Sequence, residues 1–338
     1  LSLHDALPIF TNPTLADVAK MTDPDGSIAN IVELLSQTNE VLDTMTWIEG
    51  NLPTGHRTSV RTGLPAPTWR KIYGGVQPAK STSVQVTDNC GMLEAYAEVD
   101  KALADLNGST AAFRLQEDRA FIEGINQEFC QTLFYGNEGT EPEAFTGLAP
   151  RFNSTSAENG SNIIKLDSGA SGADQSSIWL VVWGPQTIHG IYPKGGKAGL
   201  SVVDKGQVTV ENIDGASGRA EMYRTHYKWD CGLSVRDWRY VVRIANVDTS
   251  ALTKNAATGG DIIDGMMQAL ELVPSLGMGR PAFYMSRTVR SFLRRQIANK
   301  VANSTLSMDT VAGRKVVMFG EVPVYRCDAI TNAEAVVS

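Results

Sequence analysis

The chain has 338 residues, of which 42% are hydrophobic and 20% are charged, and its formal net charge is −7. This length and composition predict a globular protein with one large core or two modest ones. The longest fully apolar run, residues 178–183, is far shorter than the roughly 20 residues of a membrane-spanning helix, so a membrane protein is not expected. The net negative charge argues against a protein whose main task is to grip phosphates, so any basic surface must be local.

Residues 1–10 lack the charged start and long apolar stretch of a signal peptide, and the first methionine is Met21. We interpret these ten residues as a leader foreign to the native protein, with proteolytic maturation as the alternative. Ser27 then caps a short amphipathic helix that begins at Ile28. The four cysteines form no C-x-x-C pair, which predicts buried free thiols in a reducing compartment.

A stretch of 37 residues, 51–87, contains no Asp or Glu but carries five basic residues, and its middle is rich in Pro and Gly. Neither alternating face of residues 56–62 is apolar, so the pattern predicts two polar strands of an extended hairpin. Because an isolated two-stranded hairpin is marginally stable in water, we expect this arm to lie on another surface, that of another copy of the chain. The predicted contact residues are His56, Arg57, Arg61, Trp69, Arg70, Lys71, Tyr73 and Lys80.

Two helices are predicted next, over residues 92–106 and 109–135. In the second helix apolar residues recur every four positions, and Gly136 is placed to end it. The drift of this stripe, with Gly124 inside it, argues against a coiled coil. Residues 92–136 carry eight acidic and three basic side chains, so charge complementarity with the hairpin would orient neighbouring subunits, although solvated charge is the plainer alternative. The acidic contact residues predicted are Glu117, Asp118, Glu123 and Glu128.

Residues 137–177 are rich in Gly, Ser, Asn and Thr and predict loops. Strand patterns follow at residues 177–183, 187–192, 207–213 and 238–247. A helix at 258–273, a short strand at 281–285, a helix at 286–300 and a closing strand pair at 314–319 and 322–328 complete the chain. Because strands and helices do not alternate regularly, the predicted fold class is α+β and not a doubly wound sheet.

Few residues predict catalysis or cofactor binding. The Gly-rich turns at residues 168–172 and 195–197 match neither phosphate-loop pattern. Asp261 and Asp264 lie one helical turn apart, but the helix dipole alone favours acids there, so no metal site and no cofactor are predicted. No G-x-S-x-G motif accompanies the histidines outside the leader, which are His56, His189 and His226.

The predicted helix at 286–300 contains basic residues and no acidic ones. Three of its arginines share one stripe, which fits either a DNA-facing surface or an interface with an acidic neighbour. The candidate residues are Arg287, Arg290, Arg294 and Arg295.

Residues 232–248, GLSVRDWRYVVRIANVD, resemble a segment of the major capsid proteins of tailed phages, particularly of short-tailed types. The order of parts also resembles the Hong-Kong-97 phage capsid fold, over roughly residues 10–338. The domain division that the resemblance implies is an N-terminal arm at 1–50, an extended loop at 51–89, a peripheral domain at 90–150 with a spine helix at 109–135, an axial domain at 151–279 and a return segment at 280–338.

The function implied by the resemblance is structural, with no catalytic residues. Many copies, as pentamers and hexamers, would form an icosahedral shell around packaged double-stranded DNA bound without sequence preference. Scaffold, portal and decoration proteins are further implied partners, and assembly would take place in the bacterial cytoplasm. Two alternatives stay open: an encapsulin, which is a shell of the same fold around cargo enzymes, and a solitary hydrolase that uses His189 or His226.

Overall fold

The computed structural model describes residues 37, 39–105, 110–166, 172–211, 218–254, 260–299, 306–311 and 314–338. Its helices are α1 (Val41–Thr44), α2 (Lys101–Asp105), α3 (Thr110–Tyr135), α4 (Leu148–Arg151), α5 (Ile262–Leu272) and α6 (Arg287–Asn299). Its strands are β1 (Trp47–Glu49), β2 (Gly55–Gly63), β3 (Thr82–Asp100), β4 (Ile163–Lys165), β5 (Gln175–Trp183), β6 (Ile188–Tyr192), β7 (Ser201–Glu211), β8 (Arg219–Val235), β9 (Val241–Asp248), β10 (Arg280–Met285), β11 (Leu306–Val311), β12 (Arg314–Phe319) and β13 (Val322–Arg326). The predicted amphipathic helix that follows Ser27 lies outside the described residues.

The described residues divide into two compact units. The smaller unit comprises Gln37, Met92–Glu128 and Gly199–Trp229, and the larger unit comprises Thr38–Gly91, Phe129–Ala198 and Asp230–Ser338. The predicted division into peripheral and axial domains stays a prediction.

Strand β5 is the centre of the larger unit, and all nine of its residues are buried. Antiparallel strands flank it on both sides, so that Leu180 pairs with Phe283 of β10 and with Val242 of β9. The run of β-branched and aromatic residues in β5 suits a strand that is covered on both faces. From β11 the order of the sheet in this unit is β11-β12-β13-β10-β5-β6.

Helices α5 and α6 contribute to the hydrophobic core of the same unit. Val289 and Leu293, one turn apart on α6, are fully buried. The Ser286 hydroxyl accepts a hydrogen bond from the Val289 N–H at 3.4 Å, so Ser286 caps the N-terminus of α6. Likewise the Asp261 carboxylate accepts from the Asp264 N–H at 3.2 Å, which gives Asp261 the role of a helix cap.

In the smaller unit, the prediction of a helix over residues 92–106 was wrong. Strand β3 continues to Asp100, and the helix that follows, α2, has five residues. Burial alternates along this half of β3, with Ala97 and Val99 each 4% exposed. Ala, Leu and Glu favour a helix locally, but the neighbouring strand β8 supplies a hydrogen-bonding edge that overrides this preference. Val99, Ala104 and Phe113 form a small core here.

Elsewhere the predicted elements agree with the structure, with shifted bounds. The predicted helix at 109–135 is α3, and the closing strands β12 and β13 pair antiparallel. The strand predicted at 207–213 is β7, which begins earlier and pairs with β8. The loop prediction for 137–177 was wrong in part, because that region contains α4, β4 and the start of β5.

Candidate assembly surfaces

The predicted hairpin is formed by β2 and the first half of β3, in a register that runs from Gly55 opposite Asn89 to Gly63 opposite Thr82. At about 3.3 Å per residue, the nine residues of β2 span about 30 Å. Arg57 and Arg61 are exposed on it. The hairpin therefore presents a basic surface along its length.

Between the two strands lies a connection that we call the hairpin tip, residues 64–81. Trp69 and Tyr73 are fully exposed, and Ile72 is 85% exposed. The Gly74 N–H donates to the Lys71 carbonyl at 2.9 Å and closes a turn. The backbone φ of Tyr73 is 64°, a conformation that is rare for a residue with a bulky side chain. Its ring is exposed to solvent. The exposed basic residues of the tip are Arg70, Lys71 and Lys80.

The base of the hairpin is bonded into the body of the larger unit. The Asp88 side chain is 2% exposed and pairs with the Arg151 guanidinium at 2.9 Å. Its other oxygen accepts from the Ser234 hydroxyl at 2.8 Å. A buried carboxylate that is both paired and hydrogen-bonded resists displacement, so the base is fixed while the tip is exposed.

Two histidines pack together at this base. His56 lies opposite Asp88 in the β-ladder, and its ring meets the His189 ring edge to face at a centroid distance of 5.6 Å. His189 is 1% exposed, and burial lowers its pKa to about 4. Burial also lowers the pKa of His56. His56, predicted as an intersubunit contact, is thus half-buried against its own subunit, and His189 is too enclosed to serve as a general base for a substrate from solution.

The predicted acidic residues of α3 are less exposed than expected. The Glu123 carboxylate accepts from the Gln37 N–H and from the Gln127 amide, each at 2.8 Å. Burial is the main cause that raises the pKa of Tyr227, and the neighbouring carboxylate of Asp118 raises it further. Glu128 is exposed, whereas three of the predicted residues are half-buried: Glu117, Asp118 and Glu123. The exposed acidic surface of α3 is therefore narrower than predicted.

An apolar groove lies between β3 and α3 in the smaller unit, and we call it the spine groove. It has a volume of about 370 Å³. Leu93 of β3 lines it, together with Ala120, Phe121, Gly124 and Ile125 of α3. The sequence does not predict this groove, because the pattern of residues 92–95 favours a helix and β3 forms one wall of the groove. The one signal for it was Gly124, a glycine inside an apolar helical stripe.

Two carboxylates also line the spine groove, those of Glu94 and Glu128. Glu94 is bonded within its own subunit, to the His226 ring at 3.0 Å and to the Lys228 ammonium at 3.3 Å. The His226 hydrogen bond is the main cause that lowers the pKa of Glu94. The His226 ring also stacks on Tyr96 at a centroid distance of 4.4 Å. His226 is therefore held by contacts within its own subunit.

The basic residues of α6 differ in their exposure to solvent. Arg287 is exposed and pairs with Asp328 at 3.0 Å, whereas Arg290 is half-buried and burial lowers its pKa. Arg294 and Arg295 are exposed, and the Arg295 guanidinium lies 4.8 Å from the centroid of the Phe292 ring. The exposed positive charge of α6 is thus concentrated at residues 294 and 295.

Comparison with known proteins identifies the family. The family model described as "Major capsid protein GP7" matches residues 23–338. The chain belongs to the GP7 family of major capsid proteins. Among curated proteins, none matches it. A chain in a solved structure of bacteriophage Epsilon15 is 36% identical, with a TM-score of 0.78 over 98% of this chain and 99% of that chain.

More distant structures resemble this major capsid protein weakly. The capsid of bacteriophage JBD30 is 11% identical, with a TM-score of 0.49 over 88% of this chain and 92% of that chain. An encapsulin of Synechococcus elongatus is 12% identical, with a TM-score of 0.41 over 65% of this chain and 93% of that chain. The family match and the likeness to the Epsilon15 structure confirm the prediction of a tailed-phage major capsid protein with the Hong-Kong-97-type fold.

The described residues of this major capsid protein add two exclusions. No three His, Cys, Asp or Glu side chains among them are placed to hold a metal ion. Across the same residues, no helix is long and apolar enough to cross a membrane.

Proposed function

We propose that this major capsid protein assembles through pentamers and hexamers into an icosahedral shell around packaged double-stranded DNA. The observation that carries the proposal is the hairpin tip. Trp69, Ile72 and Tyr73 are each at least 85% exposed, on a loop held away from the hairpin base. Exposed apolar patches mark interaction sites, and here a neighbouring copy of the chain would cover the patch.

In this proposal the function is mechanical and no residue is catalytic. Each subunit is held by several interfaces, whose combined area falls in the large obligate class, over about 2,000 Å². The hairpin corresponds to the extended loop, α3 to the spine of a peripheral domain, and residues 151–279 to most of an axial domain. Assembly takes place in the cytoplasm of the bacterial host, with scaffold, portal and decoration proteins as further partners.

Electron microscopy of the expressed chain tests this proposal. We expect closed shells from the unaltered chain, and unassembled subunits from a Trp69→Ser, Tyr73→Ser variant, because the variant lacks the two largest exposed side chains of the tip. A Val202→Ser, Val203→Ser variant is the matched control, since these residues are 51% and 42% exposed on β7. A compact monomer from the unaltered chain would refute the shell, and shells from the tip variant would refute the role of the tip.

Helix α6 offers a second proposed contact, with DNA or with an acidic neighbour. The supporting observation is the exposure of Arg294 and Arg295. An Arg294→Glu, Arg295→Glu variant separates the two partners, because both side chains are exposed. Shells that assemble but retain less DNA would indicate DNA, and failed assembly would indicate a neighbouring subunit.

A further inference from the structure

We infer that the indole ring of Trp69 from a second copy of this chain enters the spine groove. The inference rests on the proposed function, because it requires two copies in contact. It names the residue that anchors the hairpin tip and the site that receives it.

The dimensions and lining of the groove fit this occupant. An apolar cavity of about 150 Å³ binds benzene, so about 370 Å³ accommodates the larger indole ring. Leu93 and Ala95 of β3, and Phe121 and Ile125 of α3, offer apolar contacts to a flat ring. Trp69 is fully exposed in the free chain, so entering the groove would remove apolar ring surface from water.

Gly124 supports an occupant of the groove for a separate reason. Glycine in the middle of a helix is unfavourable compared with alanine. Crowding does not explain it, because a Cβ at Gly124 would have none of the described atoms within 4 Å apart from its chain neighbours and the backbone of its own helix turn. Its φ is not in the left-handed region either. The missing side chain therefore leaves space that is open to an incoming side chain.

The charges beside Trp69 and at the groove select the tip over an uncharged occupant. Arg70 and Lys71 follow Trp69 directly, and both are exposed. Of the two carboxylates that line the groove, Glu94 is bonded to His226 and Lys228 in its own subunit, whereas Glu128 is exposed. We assign Glu128 as the carboxylate that the basic residues of the tip meet, which would fix the orientation of the incoming loop.

Filling the groove tests the inference without disturbing the fold. Gly124→Ala meets no described neighbour, so the subunit should fold at least as well as the unaltered chain. We expect Gly124→Ala to lower the fraction of subunits in shells about threefold and Gly124→Leu about tenfold or more, at fixed concentration, because each side chain occupies more of the groove. Ala111→Leu adds a comparable side chain at an exposed position of α3 outside the groove and should assemble normally.

Photo-crosslinking identifies the contact directly. The probe is p-benzoylphenylalanine in place of Trp69, in shells assembled from a mixture of ¹⁴N- and ¹⁵N-labelled subunits. We expect mixed-label cross-links to peptides that contain residues 93–95 or 120–128. Cross-links to other peptides, same-label cross-links only, or full assembly of Gly124→Leu would overturn the inference and leave the shell itself standing. Absence of shells from the unaltered chain would instead refute the proposed function, and the inference with it.

Discussion

Arg243 and Glu334 form an ion pair at 2.8 Å, and each side chain is 5% exposed. The Arg243 guanidinium also donates to the Phe152 carbonyl at 2.7 Å and to the Ser177 hydroxyl at 3.0 Å. Glu334 accepts a further hydrogen bond from the Tyr135 hydroxyl. Residues from the end of α3, from β5, from β9 and from the C-terminal segment thus meet at one buried point.

Removing one partner of this pair should be costly. Glu334→Gln and Arg243→Met should each destabilise the unassembled subunit by about 3–5 kcal/mol, because the remaining charged partner loses its main compensation in a buried site. Urea unfolding measures the change. The exposed pair of Arg219 and Glu211 is the control, since its side chains are 69% and 67% exposed and Glu211→Gln should cost under about 1 kcal/mol. Equal losses for both pairs would contradict this prediction.

Acid should destabilise the base of the hairpin through His189. Burial, and less strongly the charges of His56 and Arg236, lower its pKa to about 4 from 6.5, against the opposing effects of the Gly184 carbonyl and Asp88. The unfolded chain therefore binds a proton first, and stability falls as the pH drops from about 6.5 to about 4, by about 3 kcal/mol. Urea unfolding at several pH values measures the slope. His189→Gln should show a shallower slope, and an unchanged slope would rule out His189 as the cause.

Gly124, inside α3, and Gly136, directly after its last residue, should respond in opposite ways to alanine. Gly136 follows the last residue of the helix, and a Cβ there would lie 2.6 Å from the carbonyl oxygens of Phe145 and Thr132. Gly136→Ala should therefore destabilise the subunit by about 1–3 kcal/mol. Gly124→Ala should stabilise it by up to about 1 kcal/mol, since that site is open. Thermal unfolding of both variants checks the signs, and destabilisation by Gly124→Ala would show that the site is occupied within the subunit.

Shell assembly should weaken as salt is added. The Debye length falls from about 10 Å at 0.1 M to about 3 Å at 1 M, which screens contacts between the basic hairpin and acidic side chains. Light scattering at increasing NaCl concentrations measures assembly. An Arg70→Gln, Lys71→Gln variant should assemble less at low salt and depend less on salt. Lys194→Gln, Lys197→Gln removes the same charge from another exposed loop and should keep the salt dependence of the unaltered chain.

The elements predicted correctly from sequence are those whose signal is local. The apolar stripe of α3 repeats within a few residues, and the acid-free stretch of the hairpin is visible without knowing what lies beside it. The second half of β3 was missed because its strand conformation depends on β8, more than a hundred residues later. The spine groove was missed for the same reason, since β3 forms one of its walls.

The side-chain roles were harder to predict than the elements. Glu123 and Asp118 look like solvent-facing acids in the sequence, yet the partner of Glu123 is a backbone N–H 86 residues away. His56 sits in a polar stretch, yet its ring packs on His189 from β6. Trp69 and Tyr73 are exposed in Pro- and Gly-rich surroundings that offer no apolar partner, and their role as contacts to another subunit stays a prediction.

Because the hairpin tip is exposed, proteolysis there can report whether another subunit covers it. Trypsin cleaves after Lys and Arg, and Arg70, Lys71 and Lys80 all lie on this open loop. A free chain is therefore open to nicking at the tip, whereas a protease cannot reach a loop that a neighbour covers. The rate of nicking would then count uncovered subunits during shell growth, with no label attached to the protein.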